Sequence, residues 1–249
     1  MKYEEAINYL TANEIRKYNS KYFNIEDLSV DYFETLMTKN SENSNSSGFE
    51  DLRYCSIHFS RLIPRLLIPF CNMCYYKEKI IDVNNQYYSS RIKENEFNRE
   101  MFFYYFYSLG SNIYSLIDKI YISIDLGFEL ELTKEERKKY KESKICEKIK
   151  DMSNGFNTEQ ETINFLEFAE AYPGSIFERF KKEYRNKDVH YFTEEIPKYI
   201  LKNGQYIIPN SPLSEEKAFD DILELLQKFK NFLELYDKMV KKYIDDYLV

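Results

Sequence analysis

The chain has 249 residues, of which 43% are hydrophobic and 17% aromatic, and this is ample material for a buried core. A dominant disordered state is therefore excluded. The chain has only six Gly and six Pro, which argues against a turn-rich β-sandwich or barrel, whereas 31% charged residues fit helices. We expect an all-α fold.

Histidine and cysteine are scarce, and this limits the chemistry that the chain can support. Two histidines and four cysteines provide few ligands for zinc or transition metals, and they exclude a multi-cysteine disulfide scaffold. We expect no metal and no cofactor. The formal net charge of −7 removes any global attraction for nucleic acid, so such a ligand needs a local basic patch.

The N-terminus is charged and lacks the apolar segment of a secretory signal. The longest apolar stretches, residues 62–70 and 101–107, fall short of the roughly 20 residues that a membrane-spanning helix needs. We expect a cytoplasmic protein that does not associate with a membrane.

A polar run of Asn and Ser residues, 38–48, is typical of a solvated loop. We expect residues 1–50 to form an N-terminal extension and residues 51–249 to form one helical domain. The domain begins with an apolar segment, 51–76, whose helical pattern is interrupted by Pro64 and Pro69. This segment is predicted to be a kinked helix or an irregular stretch.

Apolar residues at three- and four-residue steps predict a central helix over residues 98–126. Three capping boxes follow, and each predicts the start of a helix. The boxes are Thr133–Glu136, Thr158–Glu161 and Ser175–Glu178, and the predicted helices extend to about Asp151, Tyr172 and Val189.

The remaining part of the chain contains one β-prone segment, Tyr199–Ile208, with the dipeptide Asn203-Gly204 at its centre. This dipeptide is typical of a type I′ hairpin turn, so we expect a small β-hairpin. The last segment, Ser214–Leu248, has apolar residues at helical spacing and is predicted to be a long terminal helix.

The segment Arg185-Asn186-Lys187-Asp188-Val189-His190 carries the chemistry that stands out most. On a helix, Asn186 and His190 share a face, so the amide can orient the imidazole. A histidine transfers protons near neutral pH and an arginine holds a phosphate, which suits cleavage of RNA by its own 2′-hydroxyl without a metal. Basic neighbours form a local patch for RNA: Arg179, Lys181, Lys182 and Lys187.

This segment resembles the R-N-x3-H form of the motif of the HEPN superfamily, all-α domains that include many metal-independent endoribonucleases of bacterial toxin and antiphage systems. The resemblance implies a HEPN-like helical bundle, with the hairpin as an insertion near 199–208. It implies that Arg185 and His190 are catalytic, that Asn186 supports them, and that two chains pair around one composite RNA site.

The same resemblance adds further expectations. Some HEPN families use a polar residue from an earlier helix, and the candidates here are Asn112, Ser115 and Asp118. A toxin or defence effector of this kind is expected to have a neutralising antitoxin as a partner. The alternative is a non-catalytic HEPN-like module that binds nucleotide, RNA or a protein.

Two other patterns are weighed against these hypotheses. Arg53 and His58 have the same spacing, but they lack the asparagine, lie before a proline-interrupted segment and have only apolar or small residues between them. His58 is therefore interpreted mainly as a partly buried structural histidine. Cys71 and Cys74 have redox spacing without a second cysteine pair, and they are interpreted as buried thiols. A redox or zinc protein would need these thiols exposed or bound to a metal.

Overall fold

The structure is a computed structural model, and it describes residues 10–39, 47–80, 89–133, 135–136, 142–171, 176–180, 182, 200–202, 205–207 and 214–247. Apart from one short strand pair, the regular elements in these ranges are helical, so the all-α expectation is confirmed. In chain order the elements are α1 (Ala12–Lys21), α2 (Tyr32–Lys39), α3 (Ser47–Leu62), α4 (Leu67–Lys79), α5 (Ser89–Gly127), α6 (Glu142–Lys150), α7 (Gln160–Glu170), α8 (Ile176–Phe180), β1 (Ile200–Lys202), β2 (Gln205–Ile207) and α9 (Glu215–Asp246).

The chain divides into two compact units. The first unit comprises Met1–Ile25, Leu66–Ser111 and Arg179–Leu225, and the second comprises Glu26–Arg65, Asn112–Glu178 and Leu226–Val249.

In the first unit, α1 packs against α4. A capping box starts α1: the Glu14 carboxylate accepts a bond of 2.8 Å from the backbone N–H of Thr11, and the Thr11 hydroxyl accepts one from Glu14. Glu78 of α4 joins the two helices because it accepts bonds from Lys21 at 2.6 Å and from Tyr22 at 3.0 Å.

In the second unit, α2 packs against α3, and α9 provides the cap of α2. The Asp237 carboxylate accepts bonds of 2.7 and 2.8 Å from the backbone N–H groups of Asp31 and Tyr32. These donors have no partner inside the helix, so a carboxylate from a distant part of the chain satisfies the start of α2.

The two prolines in the apolar segment 51–76 have different consequences. Pro64 lies in a 3₁₀ turn, Ile63–Leu66, that separates α3 from α4. Pro69 lies in the first turn of α4, where its missing N–H costs no helical hydrogen bond. The segment therefore consists of two helices.

The capping boxes predicted from the sequence differ in outcome. The Thr133 box is confirmed, because the Thr133 N–H donates to the Glu136 carboxylate at 2.8 Å and the Glu136 N–H donates to the Thr133 hydroxyl at 3.2 Å. The Thr158 box is wrong: its hydroxyl donates instead to the carbonyl of Gly155 at 2.7 Å, and α7 begins after Glu159. Ser175 of the third box lies outside the described residues.

The central and terminal helices are found where the apolar periodicity predicts them. Helix α5 begins nine residues before the predicted start at residue 98, in a polar stretch that carries no apolar pattern. Helix α9 is preceded by Ser214, whose hydroxyl accepts a bond of 3.2 Å from the N–H of Lys217. None of the helices within the described ranges combines the length and apolarity that crossing a lipid bilayer requires.

The strands β1 and β2 pair antiparallel, with Leu201 opposite Tyr206. They lie inside the segment for which a hairpin is predicted. The connecting dipeptide Asn203-Gly204 lies outside the described residues, so the turn type stays a prediction.

Candidate functional site

The core of the predicted catalytic motif lies outside the described residues. This applies to Arg185, Asn186 and His190, and also to the basic neighbours Lys181 and Lys187. The site is therefore built from the part of the chain that leads into the motif and from the polar residues predicted to support it.

The described helix that precedes the motif is α8, and Phe180 anchors it. The Phe180 side chain is 1% exposed, and its ring lies 5.2 Å from the ring of Phe106 in α5. Gly110, one turn further along α5, leaves room for this ring: a Cβ atom at residue 110 would lie 2.7 Å from Cζ of Phe180. The ring of Phe180, the last residue of α8, thus occupies the space that the glycine leaves beside α5.

Arg179 is described, and its guanidinium is already paired. It donates to the Asp221 carboxylate at 2.7 Å and to the Glu224 carboxylate at 3.2 Å, both in α9. Asp221 is 6% exposed, so this pair is partly desolvated. An RNA phosphate that bound Arg179 would have to compete with two carboxylates. Lys182 also has an exposed side chain.

The polar residues of α5 that were predicted to support catalysis are all exposed, in the part of α5 that belongs to the second unit. They are Asn112, Ser115 and Asp118. The Ser115 hydroxyl accepts a hydrogen bond of 3.1 Å from Lys119, so this surface combines an amide, a hydroxyl, a carboxylate and an ammonium group. Their relation to Arg185 and His190 stays a prediction.

Cys71 and Cys74 lie in α4, and both side chains are fully buried. Burial raises the pKa of the Cys71 thiol to about 11, and burial also raises the pKa of Cys74. Both groups therefore stay protonated near neutral pH and are poor nucleophiles and poor metal ligands. The interpretation as buried thiols is confirmed, and neither thiol has the exposure that a redox site needs.

Within the described ranges, no group of three or more His, Cys, Asp or Glu side chains is arranged to hold a metal ion. An apolar cavity in the second unit, lined by residues such as Ile117, Phe168 and Phe232, encloses only about 10 Å³. This is the space of about one water-sized sphere, so the cavity is too small for an organic ligand.

His58 is half-buried, as predicted, and its ring stacks on that of Tyr54 in the same helix. Arg53 does not face it as a partner but forms an ion pair of 3.4 Å with Glu50. This pair of residues thus has the spacing of the motif, but its arginine is held by a carboxylate of the same helix.

The second unit contains a chain of buried hydroxyl groups that no pattern in the sequence indicates. The Tyr236 hydroxyl lies 2.5 Å from the Ser123 hydroxyl and donates to the Tyr32 hydroxyl at 3.2 Å, and Tyr32 in turn donates to the carbonyl of Leu52. Burial raises the pKa of both phenols, so they remain neutral. The three residues lie far apart in the sequence, and no local pattern connects them.

Comparisons with protein-family models, with curated proteins and with solved structures find no match to this chain.

Proposed function

We propose that this protein is a HEPN-type endoribonuclease that cleaves RNA without a metal. The observation that carries the proposal is the segment Arg185-Asn186-x3-His190, which follows α8 within an all-α chain. Phe180, five positions before Arg185, is buried against Phe106, so the described helix that precedes the motif is packed on α5.

The proposed reaction needs only groups that RNA and this motif supply. The ribose 2′-oxygen attacks the adjacent phosphorus, the bond to the 5′-oxygen breaks, and the products are a 2′,3′-cyclic phosphate and a 5′-hydroxyl end. His190 assists the proton transfers, Arg185 stabilises the charge of the phosphorane, and Asn186 orients the imidazole.

The same proposal includes the finer features of the fold and its partners. The helices form a HEPN-like bundle, the segment near 199–208 is an insertion on it, and two chains pair to build one composite RNA site. Such an enzyme acts in the cytoplasm as a toxin or antiphage effector, restrained by an antitoxin. Asn112, Ser115 and Asp118 support the site, and Lys181, Lys182 and Lys187 bind the RNA backbone with Arg179.

An RNA-cleavage assay in EDTA tests this proposal. We expect His190→Ala and Arg185→Ala each to lower the cleavage rate about 100-fold or more, since general acid–base catalysis and charge stabilisation are each worth that much. Cleaved ends should carry a 2′,3′-cyclic phosphate, and a strand with 2′-O-methyl groups should resist cleavage.

The chain offers a matched control variant outside the motif. Arg53→Ala removes the same residue type as Arg185→Ala from α3, and it should cleave RNA like the wild type. Equal cleavage by the wild type and both motif variants would contradict the catalytic assignment and leave the non-catalytic binding module as the function.

A further inference from the structure

Helix α3 carries an exposed row of aromatic and cationic side chains, which we call the α3 stripe: Tyr54, His58, Arg61 and Arg65. Residues 54, 58 and 61 follow each other at steps of four and three, so they share one face of the helix. Arg65 follows in the adjoining 3₁₀ turn. Only His58 of the four is half-buried, and the others are exposed.

The aromatic part of the α3 stripe is a flat surface open to solvent. Tyr54 is 70% exposed, more than the other exposed large hydrophobic residues of the described ranges. Its ring lies parallel to that of His58, with an interplanar angle of 9° and ring centroids 6.1 Å apart. The ring of His58 thus restricts the orientation of the Tyr54 ring, which contributes little to the core. This preorganises one face of the Tyr54 ring for stacking.

The cationic part of the α3 stripe has no carboxylate partner within the described ranges. Arg53, Arg99 and Arg179 all form ion pairs, with Glu50, Glu215 and Asp221 respectively. Arg61 and Arg65 are exposed and form none with any described residue. Glu50 of α3 is paired with Arg53, and the other acidic residue of α3, Asp51, lies further along the helix from Arg61 and Arg65 than Tyr54 does.

We propose that the α3 stripe binds single-stranded nucleic acid, with a base stacked on Tyr54 and backbone phosphates paired with Arg61 and Arg65. An aromatic face beside cations is the arrangement that holds unpaired bases and their phosphates together. The two uncompensated arginines provide the charge complementarity that a chain of net charge −7 otherwise lacks. This inference does not depend on the proposed cleavage, because no residue of the Arg185–His190 motif belongs to the α3 stripe.

Fluorescence anisotropy with labelled single strands of about 12 nucleotides tests the proposal on the full chain. One probe is 2′-O-methyl RNA, which cannot be cleaved through its 2′-oxygen, and the other is DNA, so the two probes show whether the sugar matters. We expect Tyr54→Ala to raise the Kd about tenfold and Tyr54→Phe to leave it unchanged, because phenylalanine keeps the stacking face. The double variant Arg61→Ala/Arg65→Ala should reduce the slope of log K against log salt by about 1.4, since each phosphate contact contributes about 0.7.

Matched variants control for the loss of charge and of an exposed ring. Arg16→Ala/Lys228→Ala removes two exposed cations from α1 and α9, and Tyr104→Ala removes a tyrosine that is 59% exposed in α5. Binding of either probe that is weakened by the α3 variants and not by these controls supports the proposal. Failure of the wild type to bind both probes, or equal binding by wild type and α3 variants, overturns it, whatever the cleavage assay shows.

Discussion

Among single residues of the second unit, Tyr236 combines complete burial with both ring packing and hydrogen bonding. Its side chain is 0% exposed, its ring packs edge-on against Tyr32 and Phe59, and its hydroxyl joins those of Ser123 and Tyr32. These buried hydroxyls stabilise the fold as a group. If one is removed, its former partner is left buried without a hydrogen bond, which costs free energy.

Tyr236→Phe should therefore destabilise the protein by about 1–3 kcal/mol, although it removes a single oxygen atom. The ring and its packing are kept, so the loss reports on the hydroxyl network alone. Urea unfolding followed by circular dichroism measures it. The control is Tyr104→Phe, which removes an exposed hydroxyl and should change stability by less than about 0.5 kcal/mol. Equal stabilities of the two variants would show that the buried hydroxyl is not held as described.

Arg179 shows at the same scale what the sequence cannot tell. In the sequence it begins a basic run that extends to Lys187, and this predicts a patch for RNA. In the structure its carboxylate partners lie 42 and 45 residues away along the chain. A run of basic residues in the sequence shows which cations lie close together along the chain. The net charge of the folded surface also depends on which acidic side chains the fold brings next to them.

At the scale of elements, the contact between α5 and α8 depends on the absence of a side chain at Gly110. Glycine costs a helix about 1 kcal/mol relative to alanine, so helix propensity alone favours Gly110→Ala. A Cβ atom there would lie 2.7 Å from Cζ of Phe180, and the Phe180 ring is buried and cannot move away freely. Steric exclusion therefore outweighs propensity.

We expect Gly110→Ala to destabilise the protein by about 1–3 kcal/mol, the usual cost of overpacking a core. A double-mutant cycle in urea separates the causes: in a Phe180→Leu background the same substitution should cost clearly less. Ser111→Ala, at the next and exposed position of α5, is the control and should leave stability nearly unchanged. If the cost were the same with phenylalanine and with leucine at residue 180, the ring contact would not be its source.

The starts of the helices show which local patterns can be predicted and which cannot. The box at Thr133 needs only residues within one turn, and the structure confirms it. The box at Thr158 fails because Gly155, with a φ of 88°, turns the chain so that its carbonyl receives the Thr158 hydroxyl first. The cap of α2 could not be predicted, because its carboxylate, Asp237, lies 206 residues from Asp31.

At the scale of the whole molecule, composition predicts the fold class and apolar periodicity predicts the long helices α5 and α9. No comparable sequence pattern predicts the division of the chain into two units. Each unit combines three separate stretches of sequence, so the packing that defines it is between residues far apart along the chain. For the candidate site, the sequence predicts the motif and its helical surroundings, whereas the pairing of Arg179 and the exposed α3 stripe needed the structure.

Acid stability depends on carboxylates throughout the molecule, and Glu78 is one whose pKa is strongly lowered in the folded protein. Burial raises its pKa, but bonds from Lys21 and Tyr22 and the charge of Lys17 outweigh this and lower the pKa to about 2, from an ordinary value of 4.5. A carboxylate with a lowered folded-state pKa stabilises the protein fully above its unfolded value and loses this contribution as the pH falls. The stability of the wild type should therefore decrease as the pH falls from about 4.5 towards about 2.

Glu78→Gln removes this titrating group and so isolates its contribution to the free energy of unfolding. The neutral amide keeps the shape but loses the charge-assisted bonds, so the variant should be less stable than the wild type at pH 7, by about 1–3 kcal/mol. Because the variant no longer loses a charge below pH 4.5, the difference between the two proteins should shrink as the pH falls towards 2. Urea midpoints measured across this range provide the test, with Glu34→Gln, at an exposed carboxylate of α2, as the control. A difference between wild type and Glu78→Gln that stayed constant with pH would show that Glu78 contributes through its shape and packing and not through its charge.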